Sequence, residues 1–108
     1  MLKSVIKDSK IDPSKIEDVI VGNVLLPGAG GLLFRGACLM AGIPVESSLA
    51  SVNRFCSSGL EAVSLIATKI KCGLIEIGIG AGCESMSMNE MSDSINPDLL
   101  SEDFIENE

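Results

Sequence analysis

The sequence predicts an α/β fold, in which helices cross between the strands of a mixed sheet. Runs rich in Val and Ile alternate with runs whose apolar residues recur every three or four positions, in the order helix, strand, helix, strand, helix, strand. Glycine and proline separate these runs, as at Gly42 and Pro44. Because the alternation starts with a helix and stops after its third strand, we expect the core of this layered sheet to be incomplete.

Length, composition and charge limit the classes of protein to which the chain can belong. The chain has 108 residues, enough for one domain, and its 46% of hydrophobic residues include no Trp, no Tyr and only three Phe, which predicts an aliphatic core. Its net charge of -7 argues against nucleic acid and against anionic membrane surfaces as partners, because both attract basic proteins. The charge is uneven, since residues 72–108 carry nine acids and no base. We find no membrane-spanning run and no targeting signal in the sequence.

The first two elements are an amphipathic helix and a strand. Leu2, Val5 and Ile6 lie on one side of the opening helix. Asp12-Pro13-Ser14 ends it, with Asp12 as the N-cap of a short helical turn. Residues 18–26 are rich in Val, Ile and Leu, which predicts a strand that is buried on both faces.

A glycine-rich turn and a second helix follow. Residues 27–31 lack the glycine spacing of a nucleotide-binding loop and predict a flexible turn or a loop that a ligand approaches. Residues 32–41 are apolar nearly all round except for Arg35, which predicts an interior helix. Residues 48–53 then predict a short strand.

A third helix is predicted from Ser57 until Gly73, with one buried apolar face and one outward polar face. The predicted buried face consists of Leu60, Val63, Ala67 and Ile70. The predicted outward face consists of Glu61, Ser64, Thr68 and Lys71.

Residues 75–83 alternate Ile or Ala with other residues, which is the period of a strand. One face of this strand carries Gly78, Gly80 and Gly82. Because glycines have no side chains, we expect a helix or another backbone to approach this face unusually closely.

The remaining residues, 84–108, mix three methionines with acids. Met86, Met88 and Met91 have two interpretations: adaptable packing of a loop, which is the commoner use of methionine, or the lining of an acyl pocket. Residues 96–100 predict the start of a further helix, and the acidic tail predicts a solvated surface.

The four cysteines, Cys38, Cys56, Cys72 and Cys83, do not predict a metal site or a disulfide framework. They are widely spaced and the chain contains no His, whereas structural zinc sites bring ligands in close pairs. Apart from Cys56, they lie in apolar runs, where a small buried thiol is expected.

Cys56 is the candidate catalytic nucleophile, because it lies where a predicted strand gives way to a predicted helix. The unpaired N–H groups and the dipole of a helix N-terminus stabilise negative charge, which favours the reactive thiolate. From chemistry alone, a nucleophile and a buried structural thiol are equally supported at this position. A thioredoxin-like role is disfavoured, because Cys56 has no partner in a C-x-x-C motif.

Two segments resemble the acyl-enzyme region of the thiolases. They are residues 53–62, which contain Cys-Ser-Ser-Gly, and residues 77–87, which contain Gly-Cys-Glu-Ser-Met. Val21-Gly22-Asn23-Val24-Leu25, Arg35-Gly36-Ala37 and Gly42-Ile43-Pro44 are similar to preceding segments of that family, so the resemblance runs in order over about residues 1–97. Residues 1–108 are thereby identified as a partial thiolase N-terminal domain of peroxisomal 3-ketoacyl-CoA thiolase type, in which about residues 84–108 begin a loop region.

The resemblance implies a fold of two similar halves with five layers, and a homodimer or tetramer. It also implies fatty acid β-oxidation chemistry: Cys56 attacks a 3-ketoacyl-CoA, releases acetyl-CoA and holds the shortened acyl group until CoA removes it. CoA and acyl-CoA are the implied substrates, with no cofactor or metal. The implied compartment is the peroxisome, with mitochondrion and cytoplasm as alternatives.

The sequence also departs from the family. Thiolases use a His from a Gly-His-Pro motif and a second Cys from a Cys-x-Gly-x-Gly motif, whereas this chain has no His and Cys83-Glu84-Ser85 does not fit the second motif. We therefore expect the 108-residue chain to resemble an N-terminal fragment without turnover of its own. The alternatives are a fragment of a ketosynthase of the same superfamily and a noncatalytic remnant that pairs with intact thiolase subunits.

Overall fold

The computed structural model describes residues 1–91, within which three α-helices and three strands alternate. They are α1 (Leu2–Ser9), β1 (Asp18–Gly22), α2 (Gly31–Met40), β2 (Ser48–Val52), α3 (Ser58–Lys71) and β3 (Gly78–Gly82). This order confirms the predicted alternation. The helix predicted from residues 96–100 lies outside the described residues.

The three strands form a sheet in the order β2, β1, β3, and β1 is parallel to both neighbours. In register, Ile20 of β1 lies between Ala50 of β2 and Gly80 of β3. Helix α2 connects β1 to β2, and helix α3 connects β2 to β3 on the other side of β1, as the crossover connections that parallel strands require. The carboxyl ends of all three strands consequently meet at one edge of the sheet.

Strand β1 is buried on both faces, as predicted. On one face, a cluster joins β1 to α2, with α1 packed against it; its members include Val19, Val21, Phe34, Cys38, Leu2 and Ile6. On the opposite face a smaller cluster joins β1 to α3 through Ile20, Ala62 and Ile66. Helices therefore cover both faces of the central strand.

Strand β1 ends at Gly22, four residues before the predicted end at position 26. The cause is Asn23, whose Oδ1 accepts a hydrogen bond from the N–H of Leu26 at 2.9 Å. A side chain that bonds its own backbone in this way turns the chain out of the sheet. The turn brings the following residues over the sheet edge.

The short turn after α1 forms as predicted. Asp12 caps the helical turn Pro13–Lys15 by accepting a hydrogen bond from the N–H of Ser14 at 3.0 Å. Hydrogen bonding to Ser14 lowers the pKa of the Asp12 carboxyl, because it favours the charged form. Proline at the first position of the turn costs no backbone hydrogen bond.

The prediction of which face of α3 is buried is wrong. The residues of α3 that are buried against the sheet are Ser58, Ala62 and Ile66, whereas Leu60 is 70% exposed and Val63 is 51% exposed. Both faces of α3 are apolar, so the period alone did not decide between them. The backbone of α3 at Val63 lies against Gly80 of β3, which leaves the side chains of Leu60 and Val63 pointing away from the sheet.

Helix α2 is not the interior helix that its composition predicts. Only Phe34 and Cys38 are buried, whereas Leu32 is 90% exposed and Met40 is 77% exposed. In residues 1–91, α2 contacts the sheet through one face, and no described element covers its other face. An apolar surface therefore remains on the outside of this layer.

Candidate active site

A cleft of about 400 Å³ lies at the carboxyl edge of the sheet. Loops that follow β1, β2 and β3 line it together with the first turn of α3, and its lining includes Val24, Phe55, Cys56, Gly59, Glu84 and Met86. This is the edge where open α/β sheets bind ligands, because loops from neighbouring strands converge there. Cys56 is thus in the cleft, as a candidate nucleophile must be.

Cys56 lies in a tight turn between β2 and α3, two residues before the first residue of the helix. The preceding residue, Phe55, has a φ of 49°, in the left-handed region that residues with side chains seldom adopt. The N–H of Phe55 donates to Oδ1 of Asn53 at 3.0 Å, and its carbonyl oxygen accepts from the N–H of Ser58 at 3.0 Å. Such a conformation persists only when its surroundings hold it, and it often occurs at functional sites.

The two serines after Cys56 stabilise this turn. Ser58 is buried, and its hydroxyl oxygen accepts from the N–H of Arg54 at 2.8 Å while donating to the carbonyl of Phe55 at 2.6 Å. The hydroxyl of Ser57 donates to the carbonyl of Arg54 at 2.8 Å. The Cys-Ser-Ser-Gly motif therefore fixes the conformation of the turn that carries the thiol.

The start of α3 rests directly on glycines of the sheet. A Cβ atom at Gly22 would lie 2.4 Å from the carbonyl carbon of Ser58, and a Cβ atom at Gly80 would lie 2.7 Å from the Cα of Val63. The close approach predicted for the glycine face is confirmed. Gly22 extends that face to β1, which places Cys56 immediately above the sheet edge.

Asn23 and Glu84 were not predicted as site residues, yet they join the loops after β1 and β3, both of which line the cleft. The Glu84 carboxylate accepts from Nδ2 of Asn23 at 3.1 Å and from the N–H of Val24 at 2.9 Å. The Asn23 side chain is buried and also donates to the carbonyl of Cys83 at 2.5 Å. Asn23 follows the last residue of β1 and Glu84 lies two residues beyond β3, and only the strand order shows that these two positions are neighbours.

The structure separates the four cysteines. Cys56 is exposed, whereas Cys38 is fully buried. Burial raises the pKa of the Cys38 thiol, against a smaller lowering by Arg35. The expectation of buried thiols was wrong for Cys72 and Cys83, which are exposed because they lie just beyond the ends of α3 and β3.

Two of the three methionines lie at the cleft. Met86 and Met91 line it beside Cys56, whereas Met88 is 83% exposed and is not part of the lining. Flexible thioether side chains adapt to apolar groups of varying shape. The arrangement supports the acyl-pocket interpretation for Met86 and Met91.

Residues 1–91 contain neither a cluster of metal ligands nor a membrane-spanning helix. No three carboxylate or thiol side chains come together there as a metal site would require. None of the helices in that range has both the length and the apolar character needed to cross a bilayer.

Comparison with known families identifies the chain. The sequence profile of the thiolase N-terminal domain matches residues 1–105. The chain belongs to the thiolase family. This thiolase chain is 56% identical over 96 residues to the peroxisomal 3-ketoacyl-CoA thiolase A of Candida tropicalis, which covers 89% of the chain and 24% of the relative.

Solved thiolase structures share the fold. The dimeric peroxisomal thiolase of Saccharomyces cerevisiae superposes with a TM-score of 0.82 at 43% identity, covering 98% of this chain and 28% of that one. A second structure of the peroxisomal 3-ketoacyl-CoA thiolase of that yeast, described as five-layered with two core domains of identical topology, gives a TM-score of 0.72 at 48% identity. That match covers 80% of this chain and 24% of the yeast chain. The predicted partial N-terminal domain of the thiolase fold is thereby confirmed, and the chain spans about a quarter of the length of the curated relative.

Proposed function

We propose that this chain carries the nucleophile of a 3-ketoacyl-CoA thiolase of fatty acid β-oxidation. The observation that carries the proposal is the position of Cys56, exposed in a cleft on a turn with an unusual backbone conformation at the start of a helix. The similarity to peroxisomal 3-ketoacyl-CoA thiolases supports the substrate class. CoA and acyl-CoA are then substrates, and the chemistry needs no further cofactor.

In the proposed reaction, the Cys56 thiolate attacks the keto carbonyl carbon of a 3-ketoacyl-CoA. The bond between C2 and C3 of the substrate breaks, and its electron pair leaves with the acetyl-CoA fragment, which takes up a proton at C2. The shortened acyl group remains on Sγ of Cys56 as a thioester. Attack by the CoA thiol then forms the shortened acyl-CoA and regenerates the cysteine.

The N-terminus of α3 favours the charged species of this reaction. Cys56 precedes the first turn of the helix, where the dipole and the N–H groups can stabilise the oxyanion of the reacting carbonyl. The apolar lining of the cleft, with Met86, Met91 and Leu25, suits the hydrocarbon part of an acyl group. The start of α3 thus suits the reacting carbonyl group of the substrate, and the apolar lining suits its hydrocarbon chain.

The assembly and the compartment are part of the same proposal. The yeast relative is a dimeric peroxisomal thiolase, and the curated relative is peroxisomal, which supports a peroxisomal homodimer. The outward apolar face of α3, with Leu60 and Val63, supports a further layer over this helix. The match of residues 1–105 to the thiolase N-terminal domain supports a thiolase over a ketosynthase.

The 108-residue chain alone is expected to show no thiolysis of acetoacetyl-CoA or of longer 3-ketoacyl-CoA substrates. It contains no His, and general acid and base groups supply factors of about 100 to 10,000 in rate, far more than a helix terminus does. The assay is CoA-dependent formation of acetyl-CoA by the purified chain. Turnover above the uncatalysed rate would contradict this prediction.

Acyl transfer to the cysteine tests the proposed role of Cys56 without requiring turnover. Incubation of the chain with octanoyl-CoA allows thiol–thioester exchange, in which a protein thiolate attacks the acyl carbonyl, takes the acyl group and releases CoA. Peptide mapping at low pH should find the acyl group on Cys56 before Cys72, an exposed cysteine outside the cleft. A Cys56→Ser variant should lose that label. Equal acylation of the two cysteines would contradict the proposal.

A further inference from the structure

The loops after β1 and β3 are joined by a carboxylate and a buried amide on one side of the cleft. Oε1 of Glu84 accepts from Nδ2 of Asn23 at 3.1 Å, and Oε2 accepts from the N–H groups of Val24 at 2.9 Å and Leu25 at 3.4 Å. Asn23 is 2% exposed, and its Nδ2 also donates to the carbonyl of Cys83 at 2.5 Å. Each of these groups binds across the cleft edge, so the two loops are held together.

The same hydrogen bonds continue to the turn that carries the thiol. The carbonyl oxygen of Val24 accepts from Nδ2 of Asn53 at 3.4 Å, and Oδ1 of Asn53 accepts from the N–H of Phe55 at 3.0 Å. Phe55 is the residue with the left-handed φ of 49° that immediately precedes Cys56. A continuous chain of contacts therefore links Glu84 to the backbone next to Cys56.

We propose that Glu84 is a positioning residue for Cys56, which holds the loop of Val24 so that Asn53 can fix the conformation of Phe55. The catalytic meaning of this role rests on the proposed function. The positioning itself rests on the geometry alone. Neither oxygen of Glu84 is directed to Cys56 by a hydrogen bond, so Glu84 acts through the loop.

Glu17 provides a matched control at the opposite end of the sheet. Its carboxylate also accepts from two backbone N–H groups, those of Glu76 at 2.6 Å and Ile77 at 3.1 Å. Both carboxylates thus tie a loop or strand end to the sheet with similar chemistry. Only Glu84 lines the cleft and leads to the turn of Cys56.

The experiment compares Glu84→Ala and Glu84→Gln with Glu17→Ala and Glu17→Gln in the full chain. Amide hydrogen exchange at Phe55 should become about tenfold faster in Glu84→Ala, because a strained conformation relaxes when its support is removed. Glu84→Gln should show a smaller increase, since its amide oxygen still accepts from the N–H of Val24. The Glu17 variants should leave exchange at Phe55 unchanged.

The second readout is the rate of iodoacetamide labelling at Cys56 divided by the rate at Cys72 in the same molecule. This ratio should fall in Glu84→Ala and recover in part in Glu84→Gln. If Glu84→Ala does not fold, the positioning role is tested by comparing Glu84→Gln with Glu17→Gln. Exchange at Phe55 that responds equally to the Glu84 and Glu17 variants would overturn the positioning role. A ratio near one in the unaltered chain would instead contradict the proposed function, and exchange at Phe55 would still decide the positioning role.

Discussion

Replacing Gly22 by alanine is expected to lower the free energy of unfolding by about 3 kcal/mol, at the upper end of the usual cost of overpacking a closely packed interior. The added Cβ would lie 2.4 Å from both the carbonyl carbon and the carbonyl oxygen of Ser58. These are backbone atoms at the start of α3, so no side-chain rotation relieves the overlap. The helix must move away from the sheet, and the turn that carries Cys56 must move with it.

The matched control is Gly36→Ala, in the middle of α2. Apart from its chain neighbours and the backbone of α2 itself, a Cβ atom at Gly36 would meet nothing within 4 Å, so alanine there should stabilise the chain by about 0.5 to 1 kcal/mol through its higher helix propensity. Urea unfolding followed by far-ultraviolet circular dichroism measures both variants. Equal midpoints for Gly22→Ala and the unaltered chain would show that α3 does not rest on the sheet as described.

Replacing Lys69 by methionine is the second change with a large expected effect. The ammonium group of Lys69 pairs with the carboxylate of Asp18, which is 3% exposed beneath α3. Removing one partner of a buried ion pair leaves the other charge without compensation, which typically costs about 3 to 5 kcal/mol. Because the Lys69 side chain is itself 38% exposed to water, we expect about 3 kcal/mol, at the lower end of that range.

Two variants separate the loss of the pair from the loss of a positive charge. Lys71→Met removes a charge from an exposed position in the same turn of α3 and should change stability by less than about 0.5 kcal/mol. The double variant Asp18→Val with Lys69→Met should recover most of the loss, because an apolar pair leaves no buried charge. The same urea measurement applies. A double variant as unstable as Lys69→Met alone would contradict the explanation.

The elements of the fold followed from short-range patterns in the sequence. The alternation of Ile with glycine in β3 specified both its strand period and the close approach of α3, because a missing side chain has a direct steric consequence. Asp12 specified the turn after α1 for a similarly local reason. Cys56 was recognised because its motif lies at a junction of two elements.

Contacts between residues that are distant in the chain could not be predicted from the local sequence pattern. The prediction of the buried face of α3 was wrong because the helix is apolar on two sides. Which side packs on the sheet depends on the glycines of the strands beneath the helix. The partnership of Asn23 with Glu84 depends on β1 and β3 being neighbours, although about sixty positions separate them in the sequence. The exposure of Cys72 and Cys83 likewise depends on where α3 and β3 end.

Two exposed cysteines, Cys56 and Cys83, line the cleft, and we predict that Cys56 is its reactive thiol. Peptide mapping after limited treatment with iodoacetamide tests this claim most directly. We predict that Cys56 is labelled first, that exposed Cys72 and Cys83 follow, and that buried Cys38 reacts last. Uniform labelling of all four thiols, or labelling of Cys72 ahead of Cys56, would contradict the claim.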